Sequence, residues 1–321
     1  MESTMNTVSS SPHIRAEHTI NSIMKDVIIA LLPAVIMALY VFKWEALWVM
    51  ILSVLSCVGV EALWQKVTKQ PITINDYSAA VTGLLLAFNM PASVPLWIPI
   101  VGGVFAIIIV KQIFGGLGQN FMNPALAARA VLLASWPNHM TNWTLDGVTT
   151  ATPLGILKAG LGEVSAATIT PLPSLSHLFV GTIGGCLGET SAIALLIGAA
   201  YLLYKRVIHW RIPASFIGTV FILTWILGRD GMFHGDPFYE IFTGGLLLGA
   251  FFMATDYTTS PVTPLGQWIM GIGCGLITTL IRLFGGYPEG VSYSILLMNL
   301  AVPLLDRYTQ PKVFGEVKSN E

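Results

Sequence analysis

Charge is scarce in this sequence: Asp, Glu, Lys and Arg together make up 10% of 321 residues, where a soluble globular chain carries about 25%. With 54% hydrophobic residues, the shortage leaves only short polar pieces between apolar stretches and excludes a soluble domain of any size. A net charge of −1 gives no electrostatic reason to expect nucleic acid as a partner. Cysteine is equally sparse. Cys57, Cys186 and Cys274 lie far apart in apolar segments with no C-x-x-C pair, so no iron–sulfur or zinc site is expected. His139, His177, His209 and His234 show no ligand spacing, and no metal site is expected from them either. No G-x-G-x-x-G follows a candidate strand, which argues against a dinucleotide site. The polar start, through about Asp26, lacks the apolar core and cleavage site of a signal peptide, so the first apolar run is read as a retained helix.

Long apolar runs take up most of the rest. A membrane-crossing helix needs about 20 apolar residues, fewer where it is broken or buried in a bundle. On that measure spans are expected at 27–43, 45–64, 78–91, 95–114, 121–136, 176–204, 211–228, 238–254, 265–284 and 290–306. The sixth carries Gly181, Gly184, Gly185 and Gly188 and is expected to be bent or broken. Of 16 lysines and arginines, Lys43, Lys158, Arg229 and Arg282 fall on one side and Arg129 inside a span, leaving eleven on the side of the N-terminus. The positive-inside rule then places both termini in the cytoplasm. Trp44, Trp48, Trp97, Trp136 and Trp143 lie near span ends, as an aromatic belt requires.

The chain also resembles itself. VTGLLLAFNMPASVP (81–95) recurs loosely as FTGGLLLGAFFMATDYTTSPVTP (242–264), and FGGLGQNFMNPALAARAVLL (114–133) as FGGYPEGVSYSILLMNLAVPLL (284–305). The spacing is half the chain, so each half holds five spans and the halves run in opposite senses. The expected fold is an all-α polytopic membrane protein of about ten transmembrane helices in two inverted five-helix repeats, with broken and re-entrant helices. Its parts are an N-terminal cytoplasmic segment (1–26), a first repeat (27–136), an outer loop (137–175), a second repeat (176–306) and a cytoplasmic tail (307–321).

The outer loop contains LDGVTTATPLGILK (145–158). Thr152 followed by Pro153 puts a hydroxyl at the N-cap and proline at the first helical position, predicting a short helix over 153–159. Its N-terminus suits a phosphate, although capping alone also accounts for the residues.

SSPHIRAEHT, GGLGQNFMNPALAARA, DGVTTATPL, GETSAIALLIGAAYLL and FFMATDYTTSPVTP occur in this order along nearly the whole chain. In these the chain resembles the RnfD family, the D subunits of the Rnf complex, which is the ion-translocating ferredoxin:NAD⁺ oxidoreductase. It is more distantly similar to the B subunits of the sodium-pumping NADH:quinone reductase. The resemblance implies an FMN bound through its phosphate to Thr152 and installed by a separate flavin transferase. Asp146, Gly147, Thr149, Thr150 and Ala151 complete the motif. Thr149 and Thr150 stand where Ser and Gly are common, and Thr150 adds bulk there. It also implies partner subunits carrying flavin and iron–sulfur centres, with NAD and ferredoxin docking on those. In the related reductase a second flavin, a non-covalent riboflavin, is bound on the cytoplasmic side, which points to Asn120, Asn123 and Arg129 here.

Asn120, Asn123 and Pro124 before an apolar helix also read simply as a re-entrant turn with its cap. Arg129, Glu189 and Asp256 are the ionisable residues singled out within or beside spans, where charge is costly and faces protein or a wet cavity. Glu189 and Asp256 are candidates for an ion pathway. The expected function is a membrane subunit of a redox-driven pump for Na⁺ or H⁺, not catalytic alone, in a bacterial inner membrane among its lipids. A solute transporter or channel suits the inverted repeat as well, and a covalent flavin discriminates between them.

Overall fold

A computed structural model of the protein describes residues 19–145, 148–159, 172–181, 183–228 and 231–311. The architecture is predominantly helical. Away from water each backbone N–H and C=O must find its partner inside the segment, which a helix achieves by itself.

The first helix, α1 (Ile20–Val67), is capped by Thr19, whose side chain accepts from the Ser22 amide at 3.3 Å. It is a hairpin of two helices. At Lys43 the backbone takes φ 55° and ψ −130°, and the chain reverses there. The reversal follows from the contacts: Ile23 and Met24 share a cavity with Ser78 and Lys111, and Lys111 is paired with Glu61. Residues 23 and 61 therefore sit at the same level.

Short pieces build most of the remaining chain. Helix α2 (Ser78–Phe88) stops after three turns, and α3 (Trp97–Val104) continues as a π-helical stretch, Phe105–Gln112. Helix α4 (Pro124–Ser135) starts at Asn123, whose side chain accepts from the amides of Ala125 and Leu126. After α5 (Pro137–Met140) come two strands, β1 (Trp143–Leu145) and β2 (Val148–Thr150), paired antiparallel with Trp143 opposite Thr150. The expected fold holds no strand, so this hairpin is an addition to it. Then α6 (Pro153–Ala159) forms where the Thr-Pro pair predicts it. The sixth expected span is indeed broken, into α7 (Leu175–Val180) and α8 (Ala192–Tyr204). Gly181 turns the chain between them at φ 102°.

Helix α9 (Arg211–Ile226) is continuous, but the eighth expected span is not. It divides into α10 (Pro237–Phe242) and α11 (Leu246–Leu248), the latter running into π-helical Gly249–Met253. Gly244 at φ 66° provides the break. Helices α12 (Pro264–Phe284) and α13 (Val291–Tyr308) close the bundle. Only α1 and α12 are, among the described residues, long and apolar enough to cross a membrane unaided.

The breaks meet in the middle. The Leu187 amide donates to Met90 O and that of Gly188 to Phe88 O, joining the end of α2 to the α7–α8 break. Helices α1 and α8 cross nearby with Gly198 against the Ala30 carbonyl, where a Cβ would overlap backbone. Small residues at such crossings let backbones approach closely. Gly198→Val is therefore expected to destabilise the chain by about 1–3 kcal/mol or more. A lowered unfolding temperature in detergent would show it, and an unchanged one would mean that the crossing tolerates separation.

Candidate functional site

Two cavities lie at opposite ends of the bundle; Arg129 and Thr152 line one of them, and Asn120, Asn123 and Asp256 the other. One is walled by Arg129, Leu133, Trp143, Thr152, Tyr287, Glu289, Ser292 and Tyr293 among others. Apolar and aromatic walls with a few convergent polar groups are the usual character of a ligand site.

Thr152 reaches this wall because the hairpin ends just before it. It is buried, and its Oγ1 accepts from the Gly155 amide at 3.1 Å, so it caps α6 as the sequence predicts. Leu154, buried at 1% exposure, packs on Gly244. Lys158 Nζ donates to the carbonyl of Tyr287 at 2.8 Å and to that of Gly285. The motif helix is thus bolted to the connection between α12 and α13. Thr150 presses its Oγ1 on Gly184, and that oxygen is buried without a hydrogen-bond partner among the described residues. Its extra bulk therefore fills space at the α7–α8 break. Thr149 lies on β2 opposite Thr144, and Ala151 is exposed. Asp146 and Gly147 lie outside the described residues.

Arg129 projects from α4 into a buried polar cluster. It donates to Asn89 Oδ1 at 2.9 Å and Ser292 Oγ at 3.0 Å, and forms an ion pair with Glu289. Glu189 Oε1 stands 3.6 Å from Arg129 Nη1, and the Glu189 carboxyl also touches that of Glu289. Burial pushes the Glu289 carboxyl up most strongly, but Arg129, a hydrogen bond with Glu189 and the charge of Arg282 together outweigh it and hold the group below the usual carboxylate range. Glu289 is missing from the residues expected of the site, because it sits between spans and 160 residues from its partner.

The second cavity opens at the end of the bundle that holds Ile23 and Asp256. Asn120, Asn123 and Asp256 line it together with Ser78, Lys111 and Thr258. Asn120 Nδ2 donates to Thr258 Oγ1 at 2.9 Å, and Thr258 Oγ1 to Asp256 Oδ2 at 2.9 Å. Burial raises the Asp256 carboxyl above its ordinary range, with the Thr258 and Thr259 hydroxyls opposing the rise. Lys111 Nζ bridges Glu61 Oε1 at 2.8 Å and Ser78 Oγ at 2.6 Å.

The asparagines and Arg129, neighbours in one sequence segment, serve different cavities. Six residues of helix, about 9 Å of rise, separate Asn123 from Arg129. Glu189 and Asp256 are likewise parted. Among the described residues no group of three or more His, Cys, Asp or Glu is placed to hold a metal ion.

A family model described as NQR2, RnfD, RnfE matches residues 7–315. The chain belongs to that family. Within it, the chain is 58% identical over 318 residues to the D subunit of the Na(+)-translocating ferredoxin:NAD(+) oxidoreductase complex of Acetobacterium woodii, covering 97% of this chain and 96% of the relative. It is 48% identical over 317 residues to the D subunit of the proton-translocating ferredoxin:NAD(+) oxidoreductase complex of Clostridium ljungdahlii, covering 96% of each. The D subunit of the ion-translocating oxidoreductase complex of Stutzerimonas stutzeri is 38% identical over 327 residues, with 92% of each chain covered.

Proposed function

We propose that this chain is the D subunit of an ion-translocating ferredoxin:NAD⁺ oxidoreductase, carrying electrons through an FMN joined by its phosphate to Thr152. It is a membrane subunit of a redox-driven ion pump, and its partners are the other subunits of that complex. The observation that carries the flavin reading is the place of Thr152, on a wall shared with Trp143, Tyr287, Tyr293 and Arg129. FMN supplies one- and two-electron transfer. The chain's residues supply the rest: Thr152 the attachment, the aromatic walls exclusion of water, and Arg129 a fixed positive charge.

The other cavity, with Asn120 and Asn123 on its wall, is where we would seat a second, non-covalent riboflavin. The ion is Na⁺ or H⁺, with Glu189 and Asp256 as pathway candidates. The chain crosses the bacterial inner membrane ten times, with both termini cytoplasmic, in two inverted halves. Parallel side-chain contacts support the inversion. Lys111, late in the fourth pass, reaches the first residue of α2, while Arg282, late in the ninth, reaches Glu240 in α10. The two pairs lie toward opposite ends of the bundle.

In-gel flavin fluorescence tests the attachment. The denatured chain, co-expressed with a flavin transferase, is run beside Thr152→Ala and Thr150→Ala. A band kept in wild type and Thr150→Ala but lost in Thr152→Ala is expected. A dark wild-type band with an active transferase would sink the proposal.

A further inference from the structure

Thr152 is hard to reach from outside. It is 8% exposed, and the next two residues, Pro153 and Leu154, are buried as well. Its Oγ1 is already engaged with the Gly155 amide. Three side chains hold the segment 150–158 on the bundle. Thr150 lies on Gly184, Leu154 on Gly244, and Lys158 on the Gly285 and Tyr287 carbonyls. Thr152 supplies part of the cavity wall, while Arg129 of α4, Tyr287 and Tyr293 of α13 supply another part. The cavity is therefore complete only while the segment is docked.

A tether installed by a separate enzyme needs more room than this. The Thr152 oxygen has to attack the flavin-side phosphorus of a flavin dinucleotide. An O–P bond forms, the pyrophosphate bridge breaks, the nucleoside monophosphate leaves, and the hydroxyl proton passes to a base on the transferase. Phosphorus and base must both come within about 3–3.5 Å of Oγ1, and the transferase must also accommodate the neighbouring residues. Three consecutive buried residues leave no space for that. We propose that Thr152 is modified while the segment 150–158 is lifted off the bundle, and that Leu154 and Lys158 set how often it lifts. The proposal rests on the reading of Thr152 as the tether. Segments held by few contacts open locally at a cost well below that of global unfolding. One contact here even favours opening: Thr150 Oγ1 is buried without a hydrogen-bond partner among the described residues, and water satisfies it once the segment lifts. Redocking then closes the cavity around what Thr152 carries.

The test uses the full chain, made without a transferase and purified in detergent, then mixed with the transferase, flavin adenine dinucleotide and Mg²⁺. Wild type, Leu154→Ala, Lys158→Met and Thr152→Ala are sampled over time, denatured and read by in-gel flavin fluorescence. Wild type is expected to label slowly, Leu154→Ala about tenfold faster or more, Lys158→Met faster by a smaller factor, and Thr152→Ala not at all. A second readout needs no flavin. Thr152→Cys in the folded chain is labelled with a thiol reagent, over the little background given by the buried Cys57, Cys186 and Cys274, and adding Leu154→Ala or Lys158→Met is expected to speed it in the same order. Equal rates in wild type and both variants overturn the proposal. So does a purified series that stays dark although the co-expressed chain fluoresces. A wild type that is dark even after co-expression with an active transferase overturns the Thr152 reading itself, a result distinct from these two. If Leu154→Ala does not assemble, Lys158→Met decides: both rates raised above wild type support the proposal, and anything else overturns it.

Discussion

Thr152→Ala is expected to abolish ferredoxin-dependent NAD⁺ reduction by the assembled complex while lowering the chain's stability by only about 1 kcal/mol. The two effects separate because the side chain does little for the fold. Its Oγ1 satisfies one helix amide, that of Gly155, and losing an N-cap of this kind costs about 0.5–2 kcal/mol. Helix α6 keeps its other fastenings, Leu154 against Gly244 and Lys158 on the Tyr287 and Gly285 carbonyls. The loop therefore stays docked, and membrane insertion and unfolding temperature remain close to wild type. Thr152→Ser keeps both cap and hydroxyl and is expected to retain part of the flavin and of the electron transfer. Activity of the alanine variant above half of wild type would mean that Thr152 is only a cap. A collapse of stability would mean that the loss of activity says nothing about flavin.

What is legible in the sequence divides by the range of the physics involved. The cap at Thr152 and the turn at Asn123 are decided within four residues, and both stand where the sequence puts them. The hairpin is also locally encoded. Asp146-Gly147 between W-T-L and V-T-T is a hairpin signal, masked by the same residues' place in a flavin motif. The buried ion pairs are not local. Glu61, Lys111, Glu240 and Arg282 lie near the ends of expected spans, where long charged side chains commonly reach out to water. Lys111 and Arg282 accordingly count as surface charges when orientation is read from sequence. They are 2% and 0% exposed, held by partners 50 and 42 residues away. Discounting both leaves ten positive charges against three, from eleven against four, so the orientation keeps its basis. The breaks follow the same division. Glycines foretell the one at 181–190, but Gly244 and Gly245 sit within an apolar run long enough to look continuous.

Arg282→Ala is expected to be the most destabilising single truncation of a charged group in the bundle, at about 3–5 kcal/mol. Arg282 is fully buried and does two things at once. Its Nη1 donates to Glu240 Oε2 at 3.2 Å and to the Glu240 carbonyl at 2.6 Å, while Nη2 donates to the Thr243 carbonyl at 3.2 Å. Those carbonyls belong to the end of α10, which stops at Phe242 and so leaves its last C=O groups without helical partners. The guanidinium thus acts both as counter-ion to Glu240 and as the cap of a broken helix. A double variant separates the roles. Arg282→Met with Glu240→Leu removes both charges together, which for the ion pair alone is close to neutral. The carbonyls still lose their donor, and that part is expected to cost about 1–3 kcal/mol. Arg282→Lys keeps the charge, but a single ammonium lacks the planar fork that serves two acceptors at once. It should fall between wild type and the alanine variant. Denaturant unfolding followed by tryptophan fluorescence would rank the series. A double variant as unstable as Arg282→Ala would assign the whole loss to the uncapped helix and none to the ion pair. An alanine variant within about 1 kcal/mol of wild type would mean that water enters and replaces the guanidinium, making this end of the bundle wet where the structure has it closed.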